Sequence, residues 1–163
     1  MVAFTEMREE YLAEVLEIYN YYVLHSTATF HIKPLTLEEM GDLVFFPDPR
    51  HRTFVILEDG AIIGYVYLGP HKTRPAYGQT GEITVYLRHD YIGSGVGSMA
   101  VRFIEDYARD KEFHVLVASM CGENDKSMGV FVRNGFAKAM HFREIGYKFG
   151  RWLDVAGYQK ILK

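Results

Sequence analysis

Read for its apolar and polar positions, the chain divides into short, clearly bounded elements. Val2 to Thr5 predicts a strand. From about Glu9 to Leu24, the residues Leu12, Val15, Leu16, Tyr19, Tyr22 and Val23 recur at helical spacing and predict a helix. His25 to His31 is irregular or extended. A second short helix is expected over Leu35 to Phe46, with Thr36 as its cap ahead of Glu38 and Glu39, and it stops at Pro47-Asp-Pro49. Thr53 to Leu57 has the unbroken apolar character of a strand covered on both faces. Glu58-Asp-Gly60 is a hairpin turn, and Ala61 to Leu68 returns as its second strand. Gly64 inside that strand predicts a bulge or a close backbone approach.

After a loop from Gly69 to Thr80, Glu82 to Leu87 reads as another strand. A glycine-rich turn follows, then a helix to about Lys111 with a clean apolar stripe of Val96, Met99, Ala100, Phe103, Ile104, Tyr107 and Ala108. His114 to Ser119 predicts a strand. Asp125 to Arg133 predicts a short helix with Met128, Phe131 and Val132 on one side and Gly135 as its stop. Phe136 to Leu162 reads as two long strands joined near Lys148-Phe149-Gly150. The order β-α-α-β-β-β-α-β-α-β-β is not a regular βαβ alternation. It points to an α/β or α+β fold with a central mixed sheet and helices on both faces, formed by one domain over residues 1–163.

Composition narrows the function. The 163 residues carry a formal charge of −3, with 18 Lys+Arg against 21 Asp+Glu. No basic block is present, which argues against binding a nucleic-acid backbone or a membrane surface. Cys121 is the single cysteine, so no internal disulfide framework is expected, and it has no evident histidine partner to make it a nucleophile. The seven histidines are scattered without metal-ligand spacing, so no metal site is expected. No apolar run approaches the ~18 residues a membrane helix needs, and the N-terminus lacks a secretory pattern. A cytoplasmic protein is the expectation.

The sharpest local feature is the glycine turn, Gly93-Ser-Gly-Val-Gly-Ser98, between a strand and an amphipathic helix. Closely spaced glycines let backbone N–H groups point outward at a helix N-terminus, where the first four are unpaired and the dipole is positive. That is a site for a phosphate or pyrophosphate, to which Ser94 and Ser98 could add hydroxyl donors. A Walker A loop would need a lysine that Gly97-Ser98-Met99 lacks. A dinucleotide fingerprint would need a third glycine where Ser98 stands. A different pyrophosphate carrier is implied.

The turn resembles motif A of the GNAT superfamily of acyl-CoA-dependent N-acyltransferases, whose pattern is Arg/Gln-x-x-Gly-x-Gly/Ala. Gly95 and Gly97 match its glycines, and Ile92 stands in place of the Arg/Gln. Ile18-Tyr-Asn-Tyr-Tyr-Val, Ser26-Thr-Ala-Thr-Phe30, Arg74-Pro-Ala-Tyr77, Glu82-Ile-Thr-Val-Tyr86, Asn124 and Gly146-Tyr-Lys-Phe-Gly-Arg-Trp-Leu-Asp154 are similar to the phosphinothricin N-acetyltransferase branch. The resemblance covers almost the whole chain. It implies a GNAT-like fold with a splayed sheet and acetyl-CoA as co-substrate. The acceptor it implies is the α-amine of a small amino acid or analogue such as phosphinothricin, methionine sulfoximine or methionine sulfone.

The same resemblance implies roles. Val85, Tyr86 and Leu87 would offer backbone partners to the pantetheine arm. Gly93, Ser94, Gly95, Val96, Gly97 and Ser98 would cradle the pyrophosphate, and Asn124 would contact the coenzyme. Glu82 would be the general base, and Phe30, Arg74 and Tyr77 would line the acceptor pocket. Phe131 stands where many relatives carry a tyrosine that protonates the departing thiolate.

Chemistry supports part of this assignment. An amine two units above ambient pH costs roughly 2.7 kcal/mol to deprotonate, and a positioned carboxylate such as Glu82 offsets that cost. A backbone N–H on the Glu82–Leu87 strand is the natural donor to the oxygen of a tetrahedral intermediate. The guanidinium of Arg74 matches a carboxylate or phosphinate. Lys148 and Arg151 flank the hairpin tip, where solvent exposure is the first expectation and contact with an acidic substrate or a dimer partner the alternatives. Tyr19, Tyr21 and Tyr22 read as core and rim of the first helix, and His141 as structural. The aromatic content, 12 Tyr and 11 Phe, makes a homodimer plausible. Competing functions are acetylation of another amine (a peptide N-terminus, a polyamine, an antibiotic) and a CoA-binding regulatory module without turnover.

Overall fold

A computed structural model describes residues 1–163. The elements are β1 (Val2–Glu6), α1 (Leu12–His25), α2 (Leu37–Val44), β2 (Arg52–Glu58), β3 (Ala61–Pro70), β4 (Thr80–Leu87), α3 (Val96–Asp110), β5 (Val115–Cys121), α4 (Asp125–Arg133), β6 (Ala137–Lys148) and β7 (Arg151–Ile161). Their order is the one expected from the sequence. Boundaries differ by a few residues, and three 3₁₀ turns are added at Glu9–Tyr11, Pro75–Tyr77 and His89–Tyr91. The first of these takes the start of the expected first helix. Thr36 caps α2 in a full capping box, accepting from the Glu39 N–H while the Glu39 side chain accepts from the Thr36 N–H.

The seven strands form one sheet in the order β1-β2-β3-β4-β5-β7-β6. Successive residues of β2 and β3 point to opposite faces, and both faces are covered. Val55, Ile62 and Tyr65 join α1 and α2 in one core. Ile56, Ile63 and Val66 join α3 and α4 in the other. Two-sided burial is why these strands read as unbroken apolar runs rather than alternating ones.

Both readings of Gly64 hold. The β2–β3 register shifts between Ile56 and Leu57, next to Gly64. A Cβ built on Gly64 would lie 2.6 Å from the Tyr86 carbonyl oxygen and 2.8 Å from a Leu87 methyl. The glycine therefore lets β3 bear directly on the end of β4.

The feature that shapes the molecule is the β4–β5 pair. These neighbours are parallel and are in register only from Thr80↔Val115 to Glu82↔Val117. Beyond that point β4 stays paired with β3 as far as Leu87, and β5 stays paired with β7 as far as Cys121. Each strand is held by its outer neighbour while the two separate, and a wedge opens in the middle of the sheet. Gly64→Ala is expected to destabilise the protein by about 2–3 kcal/mol through overpacking against the β4 backbone. The check is the denaturant midpoint, which should fall with an unchanged slope.

Candidate active site

The wedge widens into a cleft of about 500 Å³. β4 supplies Ile83 to Leu87, β5 supplies Ser119 and Met120, and α3 and α4 close it from one side. Of the residues expected to hold a coenzyme, Val85, Tyr86, Leu87, Gly93, Gly95, Gly97, Ser98 and Asn124 line this cleft. Ser94 and Val96 do not. The Ser94 hydroxyl donates to the Tyr91 carbonyl at 2.5 Å, so it braces the turn and has no proton left for a ligand. The Val96 side chain is buried in the core beneath α3 and leaves only its main chain at the turn. Ile92, Lys126 and Arg133 also line the cleft. Both cations lie outside the glycine motif, on helix α4, and the sequence reading missed them.

Gly93 and Gly95 have φ of 84° and 89°, in the left-handed region that other residues enter at a cost. A Cβ on either would meet nothing within 4 Å, so the constraint is on backbone conformation and the space beside the turn is open. The first helical bond of α3 runs from Met99 N–H to the Gly95 carbonyl, and the Gly97 and Ser98 N–H groups have no acceptor in the protein. Ser98 accepts from the Asn134 side chain at 3.2 Å, which leaves its own hydroxyl proton free. Asn124 caps α4, accepting from Ser127 N–H. Two helix N-termini thus face one cleft, and their donors and dipoles suit a polyanion. The fit to the pyrophosphate of an acyl-CoA rests on these unpaired amides.

Glu82 lies at the apex of the wedge, at the last paired position before the strands separate. It is partly exposed, and its Oε1 is 2.8 Å from Nδ1 of His71. His71 was not singled out from the sequence; it follows β3 directly, and only the β3–β4 register brings it to Glu82. Tyr77 stands edge-on to the His71 ring with centroids 5.8 Å apart. Arg74 is exposed at the start of the Pro75–Tyr77 turn, where its carbonyl accepts from the Tyr77 N–H and its side chain makes no hydrogen bond within the protein. Phe30 is partly exposed and packs on Gly146 of the β6–β7 hairpin, where a Cβ would lie 2.4 Å from its ring. The structure therefore gathers Glu82, His71 and Tyr77 at one point, with Arg74 on the same loop. Phe30 is held separately by the hairpin.

On the α1 face, Tyr19, Tyr22, Tyr65 and Tyr67 form an aromatic wall with Tyr86. Burial pushes all five hydroxyls up, Tyr22 to about 12, so they act as neutral donors. Tyr22 donates to the Leu87 carbonyl and Tyr86 to the Ala28 carbonyl. The Leu87 carbonyl thus already has a partner, and because Arg88 N–H bonds to Ile63 of β3, the alternation along β4 turns Tyr86 to β3 and leaves Val85 as the freer backbone group of the expected set. Tyr19 and Tyr22 are core and Tyr21 is exposed, as read from the sequence. His141 is partly exposed and bonded to Asp154, in keeping with a structural role.

Lys148 overturns the expectation of solvent exposure. It is only 3% exposed, and its ammonium donates to the Ser26 and Thr29 carbonyls at 2.8 and 2.9 Å. Burial lowers its pKa, and the two carbonyls offset part of that cost. Arg151 is exposed as expected. It grips Glu123 through both guanidinium nitrogens, and Glu123 also accepts from Thr27. Lys148 and Glu123 thus fasten residues 26–29 to the β6–β7 hairpin and to the end of β5.

Comparison with known proteins places this geometry. The Acetyltransferase (GNAT) domain family matches residues 5–156. The chain belongs to the GNAT acetyltransferases. Phosphinothricin N-acetyltransferase of Streptomyces coelicolor is 34% identical over 158 residues, covering 94% of this chain and 92% of that protein. The L-methionine sulfoximine/L-methionine sulfone acetyltransferase of Pseudomonas aeruginosa is 31% identical, covering 91% and 87%. A phosphinothricin acetyltransferase from Sinorhizobium meliloti, solved in complex with acetyl-CoA, superimposes with a TM-score of 0.94 at 27% identity, over 99% of this chain and 88% of that one. The mixed seven-stranded sheet with four helices is the GNAT fold, and this GNAT protein is an N-acetyltransferase by family.

The clasp has a pH signature. Hydrogen bonds from Arg151 and then Thr27 lower the Glu123 carboxyl from 4.5 to about 2. Between those values the unfolded chain binds more protons than the native one, so stability rises with pH. The contribution is fully present above about 4.5 and is lost as the pH falls through about 2. Glu123→Gln is expected to flatten the decline in melting temperature over that interval relative to the parent. Equal slopes would show that the clasp adds no such linkage.

Proposed function

We propose that this acetyltransferase moves the acetyl group of acetyl-CoA to the α-amine of a small amino acid or analogue of the phosphinothricin, methionine sulfoximine or methionine sulfone type. The observation that carries the reading is the wedge itself. It has unpaired amides at one end, a strand edge along its length and a carboxylate at its apex. The names of the relatives support the acceptor class.

In this reading the main-chain N–H groups from Gly93 to Ser98 hold the pyrophosphate, Ser94 serving by its backbone alone. Lys126 and Arg133 supply the positive charge that Ile92 does not. Val85, with Tyr86 and Leu87 beside it on the strand, meets the pantetheine arm as a further strand would. Asn124 borders the coenzyme from α4. Glu82 accepts the proton of the acceptor ammonium, and the freed amine attacks the thioester carbonyl. A backbone N–H of β4 faces the oxygen that gains charge. Phe131 is buried in the cleft wall and gives no proton, so the departing thiolate takes one from water. Arg74 pairs with the acceptor's acid group. Tyr77 and Phe30 border the acceptor. Holding both substrates in line supplies much of the acceleration.

Residues 1–163 act as one domain, and the protein works in the cytoplasm, where acetyl-CoA is made and consumed. It works as a homodimer. Phe142, Ile145, Tyr147, Phe149 and Trp152 are each more than half exposed on the edge strand β6, the turn after it and the start of β7. Tyr147 and Trp152 lie 4.7 Å apart across the two strands. Five large apolar side chains exposed on one hairpin are costly to leave in water.

Two measurements test these points. Thiol release from acetyl-CoA should be fast with methionine sulfone, methionine sulfoximine or phosphinothricin. Glu82→Gln should lower kcat by roughly 10²-fold or more without weakening acetyl-CoA binding. Binding without turnover on any amine would instead favour a regulatory module. Trp152→Glu should convert a dimer to a monomer in sedimentation; a parent that sediments as a monomer removes the assembly.

A further inference from the structure

Gly69 is the cross-strand partner of Glu82 and has no side chain to cover it. The Phe46 ring packs beside Gly69, and His71, two residues further on, places Nδ1 2.8 Å from Glu82 Oε1. A carboxylate offers only lone pairs, so Nδ1 carries the proton and donates. The imidazole is steadied on its other side by the Tyr77 ring. The Glu82 carboxylate makes no other hydrogen bond within the protein. Its neighbour on the same face of β4, Thr84, is two residues along the strand.

From this geometry we infer that His71 is a positioning residue for the acetyl-transfer reaction. It fixes the Glu82 carboxylate through Oε1 so that Oε2 stays directed at the acceptor amine. The inference rests on Glu82 being the base. In the step concerned, an N–H bond of the ammonium breaks and an O–H bond forms at Oε2, while the Nδ1–H···Oε1 bond persists. Without His71, the Glu82 carboxylate has no side-chain partner at the wedge apex and is free to change rotamer. Proton acceptance then competes with misdirected conformers. His71 is not among the residues that line the coenzyme cleft, so its effect is confined to the acceptor half of the reaction.

The test is steady-state kinetics on the full chain with four variants. His71→Phe is expected to lower kcat roughly tenfold, the size expected when a hydrogen bond to a charged group is lost, with KM for acetyl-CoA at the parental value. His71→Asn keeps an N–H donor at similar reach and should recover most of kcat. In a Glu82→Gln background, His71→Phe should change kcat no further, because the group it positions is gone. Parental kcat in His71→Phe beside a collapsed Glu82→Gln would overturn the positioning role and leave Glu82 as base. Parental kcat in Glu82→Gln would remove the base, and the positioning role with it. A loss in His71→Phe that Asn does not rescue, with a lowered melting temperature, would also overturn the proposal by making His71 structural.

Discussion

The separation of β4 from β5 after Glu82 and Val117 is the constraint on which the rest depends. Two parallel strands in the middle of a sheet ordinarily stay paired, because each unpaired amide costs free energy when buried. Here the outer partners compensate. β3 holds β4 to Leu87, with Gly64 allowing a close approach, and β7 holds β5 to Cys121. The free inner edge of β4 is therefore an open row of backbone groups inside the fold. Such an edge is usually a liability. In this molecule it lines the open cleft.

The wedge also sets the electrostatic order of the site. Its wide end gathers two helix N-termini, Lys126 and Arg133, so positive potential collects where a polyanion would sit. Its apex holds Glu82, beside an imidazole and without a guanidinium or ammonium ion partner. Between them lies a wall of tyrosines kept neutral by burial. Charge is thus sorted along the wedge: cations at its wide end, a carboxylate at its apex and uncharged hydroxyls between.

The segment 26–29 connects the two halves. It has no regular structure, and its position is set by three hydrogen bonds from two side chains elsewhere. Lys148 reaches the Ser26 and Thr29 carbonyls, and Tyr86 reaches the Ala28 carbonyl. A loop held this way keeps Phe30 against Gly146 without a helix or strand of its own. The hairpin carrying Lys148 also carries the exposed side chains of Tyr147, Phe149 and Trp152.

Much of this was legible in the residues. Periodicity alone placed every helix and strand in order, because two-sided burial and amphipathic stripes leave strong local signals. The glycine turn was legible as a turn, because φ near +85° at Gly93 and Gly95 is a demand on residue type. Glu82, Asn124 and the acceptor-side residues came from likeness to a family rather than from local physics. What tertiary structure decided was every relation across distant sequence. The partnership of His71 with Glu82, the burial of Lys148 under residues 26–29 and the arrival of Lys126 and Arg133 at the cleft depend on register and packing, which no short window contains. Local pattern determines how a segment folds. The chemistry of a side chain depends on which other segment is pressed against it, and that is settled only when the sheet is assembled.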